Sequence, residues 1–419
     1  MKGTAFPDHR WAVHRGAPLP HDEAMDAQPV PYPFGDAVAL QAHPRFAELR
    51  KSAAPVRVTM PYGGDAWLVT RYEQTRFVLS DPRFSRAAAA GADVPRGRPG
   101  FEPAGNLLAM DPPEHNRVRA LVAKAFTGRR VELLRPRIQE IVDTLLDGIR
   151  PPADFASAVA WELPVLVIGE LLGVPPGELP MVRECTETLV ASGGTVTPAD
   201  VTEARGKLAG ALKTLIARRR EEPADDLLTA LAAARDEEDR LTDDELLMLG
   251  VALLAGGHES TANLTGSILV ELLSDRERWT ALVARPELVP SAVEELLRFV
   301  PLATVADFAR IAREDLEIGG QAIRAGDAVL VQLDSANRDE SVFPSAGEMD
   351  FGRKVNHHVA FGFGVHHCVG APLARLELRV LLSTLVRRRP DLRLAISPED
   401  IEWRRGGLLR GVSSLPVTW

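Results

Sequence analysis

The chain has 419 residues, 45% of them hydrophobic and 26% charged, with a formal net charge of −9. That composition suits a globular protein with a large core, and the acidic balance argues against nucleic acid as a partner for the surface as a whole. Two distant cysteines, Cys185 and Cys368, make no disulfide framework and suit a reducing, cytoplasmic setting.

Length alone suggests two or three domains. Residues 1–32 read as a polar, proline-rich, loosely ordered arm. Its first thirty residues hold no uninterrupted apolar stretch, so no signal peptide is expected. No apolar run reaches the ~20 residues of a membrane span.

Short strand-like runs follow at "PVRVTM" (55–60) and "AWLVTR" (66–71), then a Gly/Ala/Pro/Arg-rich loop over 85–108. From 112 to about 299 apolar residues recur at helical spacing. "DPPEHNRVR" (111–119) predicts a helix start with Asp111 as cap and Glu114 closing a box. It places His115 and Arg119 four residues apart on one face.

The stretch 241–274 opens with a capping box, Thr242 to Glu245, and stays helix-periodic for about thirty residues, ~48 Å. In its middle Gly256 and Gly257 each cost about 1 kcal/mol relative to alanine, and a polar run, His258 to Thr261, interrupts apolar surroundings. Close packing through glycines is one explanation. A locally loosened helix with room for a small ligand and water is the other. "SAVEELLRF" (291–299) reads as a further helix, capped by Ser291 with Glu294 and carrying Glu295 and Arg298. Strand signals return at 316–334 and after 401, so the chain is mainly α with a smaller β portion near both ends.

"FGFGVHHCVG" (361–370) sets Cys368 among three glycines and two histidines. A buried filler thiol is one reading. Zinc is another, since His357, His358, His366 and His367 are close in sequence, but the paired cysteines common in structural sites are missing. A nucleophile lacks a family-type signature. A lone axial thiolate to haem iron is the remaining option, with glycines 362, 364 and 370 allowing close backbone approach.

This ten-residue stretch resembles, without a gap, the haem-ligand loop FGxGxHxCxG of the cytochrome P450 superfamily, and "APLARLEL" (371–378) follows as it does in bacterial members. The resemblance runs from about Pro33 to Trp419 and implies one haem-thiolate monooxygenase domain over 33–419, overriding the length prior. The implied fold is the single-domain P450 fold with a long central helix over haem b. Cys368 is then the metal ligand, and His115, Arg119, Arg310 and His366 clamp the haem propionates. Glu259 and Ser260 are the implied catalytic proton-relay pair, with serine where the family usually has threonine and Thr261 as a possible sharer of the role. Glu295 and Arg298 match the structural ExxR pair. Glu348 stands where a third arginine is usual, which leaves Arg353 as the candidate to complete the triad.

The resemblance is closest to soluble actinobacterial-type members that tailor natural products. It implies a monomer supplied with electrons by a separate ferredoxin and ferredoxin reductase, because the chain end at 419 leaves no room for a fused reductase. Ala252, Ala255, Gly256, Val305 and Leu408 are the implied substrate contacts, with the 85–108 loop, 302–306 and 406–411 around them. The small residues fit hydroxylation or epoxidation of a bulky macrolide or polyketide intermediate. Oxidative coupling of a cyclic dipeptide or other aromatic substrate is the alternative. A haem-thiolate sensor or carrier would need Cys368 and the clamp but not Glu259 and Ser260.

Overall fold

The computed structural model describes residues 28–35, 39–98, 106–190, 196–236, 241–405 and 407–419; the first 27 residues of the arm lie outside these. Its strands are β1 (Val30–Pro31), β2 (Val56–Thr59), β3 (Asp65–Val69), β4 (Phe84–Ser85), β5 (Ala153–Asp154), β6 (Arg310–Ala312), β7 (Leu316–Ile318), β8 (Gln321–Ile323), β9 (Ala328–Val331), β10 (Arg393–Leu394) and β11 (Pro416–Thr418). The main sheet runs β1-β2-β3-β9-β6-β4. Its β3–β9 pair is parallel, with Trp67 opposite Val329, so residues some 260 positions apart share one sheet and the two ends of the chain belong to one domain. A second sheet, β10-β11-β5, ties the C-terminus to the middle of the chain, and β7–β8 form a hairpin.

The runs at 55–60 and 66–71 become β2 and β3. Strands β1, β4, β5, β6 and β10 had no sequence signal, because each is two or three residues long and stands apart from the continuous 316–334 run that marked β7 to β9. β1 draws residues 30–31 into the sheet beside Val58 and Thr59, and the adjoining Tyr32 is buried.

Between the β-rich ends lies the helical body. Its axis is the 32-residue helix Asp243–Ser274, whose capping box has both reciprocal bonds, Thr242 N–H to Glu245 Oε2 at 2.8 Å and Glu245 N–H to Thr242 Oγ1 at 3.1 Å. The helix packs on Glu162–Leu172, Leu179–Val190 and Pro198–Glu221. It remains α-helical across Gly256–Gly257, so the expected interruption is not a break in the backbone. The two glycines differ in role. A Cβ on Gly257 would meet Ile168 at 3.1 Å, so this glycine serves helix packing, while a Cβ on Gly256 would meet nothing within 4 Å.

Two predicted caps are replaced. Asp111 does not cap; the Glu114–Ala123 helix starts after Pro113. The Asp111 carboxylate instead accepts from Arg86 N–H at 2.8 Å and Arg313 at 2.6 Å, donors brought there by other segments of the chain. Ser291 lies inside a helix that begins at Val289, and its hydroxyl donates back to Leu288 O at 3.0 Å. Pro290 in the first turn allows that earlier start. No described helix is long and apolar enough to cross a membrane.

Candidate active site

The cysteine loop is a tight turn leading into the Ala371–Arg388 helix. Cys368 N–H donates to Phe361 O at 2.9 Å, and Gly362 N–H to Val359 O at 2.8 Å. Gly362 and Gly364 both have φ of 70°, where a side chain is strained. At Gly364 a Cβ would also lie 2.3 Å from Leu79 O. Gly370 needs no such freedom: its φ is −79°, and it ends the turn just before the helix. The Cys368 side chain is accessible but recessed. Burial pushes its thiol up, while the backbone N–H of Gly370, Arg119, the N–H of Ala371 and Arg375 favour the thiolate. Among the described residues no three His, Cys, Asp or Glu side chains converge as a metal cluster, so the zinc reading has no geometry to support it.

Cationic and imidazole groups gather beside this loop. His115 is fully buried, its ring 4.4 Å from that of His366, and its Nε2 has no partner. Arg310 is 7% exposed, and among the described residues no carboxylate pairs with it. Arg119 donates to His367 O, which brings it over the loop. Burial pulls Arg310 down to about 9, with Arg86 beside it adding to the effect. Burial likewise brings His366 to about 3, reinforced by His115, Arg310 and Arg86. Two arginines, Arg310 and Arg86, with neutral imidazoles beside them as N–H donors, form a site that favours anions. Four of the predicted residues therefore converge, and the donors fit a thiolate-ligated macrocycle bearing two carboxylates.

The central helix supplies the other wall. Ala252, Ala255, Gly256 and Ser260 remain accessible on a helix otherwise largely buried, and their spacing puts them on one face. Ser260 Oγ donates to Gly256 O at 2.8 Å, the back-bond short hydroxyl side chains make in helices. Glu259 is 6% exposed, and its Oε2 has no partner. Burial pushes its carboxyl up to about 7, opposed by Arg404 and reinforced by Glu187. Asn263, one turn on, donates to Glu259 O at 3.0 Å. His258 is a core residue held between Thr186 Oγ1 (2.7 Å) and Trp161 O (3.3 Å). Thr261 is 6% exposed and is not on the accessible face.

Glu295 and Arg298 form a bidentate pair at 2.7 and 2.9 Å, both side chains fully buried. Arg353 Nε reaches Glu295 Oε2 at 3.0 Å, so the triad is closed by Arg353. Glu348 contributes only its backbone carbonyl, which accepts from Arg298 at 3.0 Å.

The family profile described as Cytochrome P450 matches residues 198–389. Nocardicin C N-oxygenase of Nocardia uniformis subsp. tsuyamanensis is 52% identical over 392 residues, 93% of this chain and 98% of that protein. The chain is a cytochrome P450. Mycinamicin IV hydroxylase/epoxidase of Micromonospora griseorubida is 46% identical to this P450 over 396 residues, 94% of this chain and 99% of that one. The crystal structure of cytochrome P450mel 107F1, with biaryl coupling reactivity, superposes with a TM-score of 0.89 at 41% identity, covering 94% of this chain and all of that one. The P450 is therefore a monooxygenase of a haem-thiolate family, not a sensor or carrier.

Of the expected substrate contacts, Ala252, Ala255 and Gly256 share the accessible face, and Leu408 is partly accessible. Val305 is 8% exposed and packs against Gly97, whose Cβ would meet it at 2.5 Å. Residues 99–105 of the long loop and Gly406 lie outside the described residues. Sequence reasoning on the P450 missed Asn263, which the i, i+4 spacing from Glu259 could have revealed. It also missed Arg86 and Arg404, which loops deliver without a sequence signal.

Proposed function

We propose that this P450 inserts one oxygen atom into a bulky natural-product intermediate, by hydroxylation or epoxidation, with haem b held through Cys368. The carrying observation is the convergence of an accessible cysteine with His115, His366, Arg310 and Arg119, of which His115 and Arg310 are buried. Haem bound there through Cys368 would supply dioxygen activation. His115, Arg119, Arg310 and His366 would hold the two propionates by charge-assisted hydrogen bonds. Overall, the substrate and dioxygen take up two electrons and two protons and yield oxygenated product and water.

Glu259, about half protonated near pH 7, holds a transferable proton at its carboxyl, and Ser260 passes it toward the cleft through its hydroxyl. The small side chains Ala252 and Ala255 on the accessible face beside Gly256 leave room for a large substrate. By name one relative is an N-oxygenase and another a hydroxylase/epoxidase, so oxygenation at nitrogen belongs to the same proposal. Coupling of an aromatic substrate such as a cyclic dipeptide is the second reading, supported by the likeness to P450mel 107F1. A separate ferredoxin and its reductase are the proposed electron source.

Reducing the holoprotein under carbon monoxide tests the ligand. A red-shifted Soret band of a thiolate adduct is expected, and a histidine-type band from folded protein overturns the assignment. Spectral titration of the ferric protein with macrolides, nocardicin C and cyclic dipeptides then ranks the substrate classes.

A further inference from the structure

We infer that Tyr32 and Arg410 are positioning residues that set the shape of the substrate cleft from behind its wall. The inference rests on the proposed role of segments 302–306 and 407–411 as that wall, and extends it to two buried side chains outside them or pointing away.

The wall is two stretches of backbone laid side by side. Thr304 N–H donates to Leu408 O at 2.8 Å and Arg410 N–H to Leu302 O at 2.7 Å, with Ala303 and Leu409 in an antiparallel bridge. The Thr304 hydroxyl adds a bond to Gly407 O at 2.7 Å. Neither stretch extends into the main sheet, so something else must fix the pair relative to it.

Tyr32 does this for the first stretch. Its hydroxyl accepts from Ala306 N–H at 2.8 Å and donates to Gln332 Oε1 at 2.7 Å. Gln332 is itself anchored, its N–H donating to Val69 O at 2.9 Å at the end of β3. Arg410 serves the second. Its Nε donates to Ala303 O at 3.1 Å, while Nη1 reaches Ala39 O at 3.0 Å and Gln41 O at 3.1 Å. One planar guanidinium thus joins both wall segments to the N-terminal chain. Asp334 lies alongside. Burial pushes its carboxyl up to about 6, against Arg410 and the N–H groups of Leu302 and Ala303.

A cavity of about 70 Å³ separates this N-terminal chain from the wall, lined by Tyr32, Phe34, Phe46, Thr304 and Arg410 among others. Close-packed side chains would hold the wall by steric contact alone. Val305, Ala306 and Leu408 pack in one apolar cluster with Tyr32 and Phe46, but beside this space the Thr304–Arg410 part of the wall is held by directional hydrogen bonds. Removing one bond gives the wall room to retreat.

The test titrates ferric holoprotein with imidazole, which needs little room, and with 4-phenylimidazole, whose ring reaches the cleft walls, following the Soret shift. Tyr32→Phe and Arg410→Lys keep volume or charge, and Leu408→Trp alters the wall directly. In both positioning variants 4-phenylimidazole affinity should change roughly threefold to tenfold, as expected for one hydrogen bond, with imidazole affinity and the carbon monoxide band unchanged. If Leu408→Trp changes 4-phenylimidazole affinity and the positioning variants do not, the wall stands and the inference falls. If none of the three variants changes it, the wall reading fails and takes the inference with it. Equal loss of both ligands, or loss of the carbon monoxide band, makes Tyr32 and Arg410 folding residues and overturns the positioning role.

Discussion

Glu259 owes its chemistry to where the helix places it. Burial raises its carboxyl to about 7 and Arg404 pulls the other way, so it is protonated below that pH and ionised above it. Turnover that uses its proton should fall as pH rises past about 7. Glu259→Gln should abolish that limb and lower kcat by roughly a hundredfold or more. Arg404→Gln removes the charge favouring ionisation and should move the limb to higher pH; kcat profiles of the three proteins check the sign. Ser260 is the second residue with a sharp expectation. Serine is less restricted at χ1 than the family's threonine, and its hydroxyl bonds back to Gly256 O. Some reducing power should therefore escape as hydrogen peroxide in the parent. Ser260→Ala should increase that loss with spectrum and binding intact, and Ser260→Thr should reduce it. Product formed per reduced nicotinamide consumed is the measure. An alanine variant that couples as well as the parent would remove Ser260 from the relay.

Among the elements, the Val289–Phe299 helix and the 343–353 segment are joined by one buried carboxylate. Glu295 receives Arg298 twice, Arg353 once, Asp350 N–H at 2.9 Å and Asn356 at 3.1 Å. Stripping a buried cation of its carboxylate costs roughly 3–5 kcal/mol, so Glu295→Gln should lose folded holoprotein. Arg353→Ala should destabilise less, since the bidentate pair survives. Glu348→Ala should fall within about 0.5 kcal/mol of the parent, because only the Glu348 backbone takes part. Chemical denaturation with haem absorbance as a second probe separates the three. The ExxR spacing was visible in sequence. Sequence offered Arg353 as the candidate third member, and the path of the chain past Glu348 brings it onto Glu295.

Across the whole molecule, the basic run from His115 to Arg137 is narrower than its composition suggests. Arg117 is paired with Glu245, Arg135 with Glu132, and Arg137 with Glu140 and Glu170. Arg119 turns to the cysteine loop. Lys124, Arg129 and Arg130 are exposed, with no ion pair among the described residues. These three are the proposed contact for an acidic ferredoxin. Association should slow as salt rises, and reversing Arg129 and Arg130 to Glu should slow reduction at low salt. Stopped-flow reduction by a ferredoxin checks this, and unchanged rates place docking elsewhere.

Local chemistry was legible in the sequence because it is encoded by neighbours: the cysteine loop with its left-handed glycines, the Thr242–Glu245 box, the pairs at i+3 and i+4, and the central helix with its apolar period. Each needs only a few consecutive residues to be specified. The tertiary structure alone decided everything set by distant chain segments meeting. It placed Arg86 beside Arg310, drew Arg404 toward Glu259, and bound Tyr32 to Gln332 across 300 residues. It also split two adjacent glycines into a packing residue and an open one. Burial, which raises Glu259 and depresses His366, is a property of everything packed around a group, and no short stretch of sequence contains it.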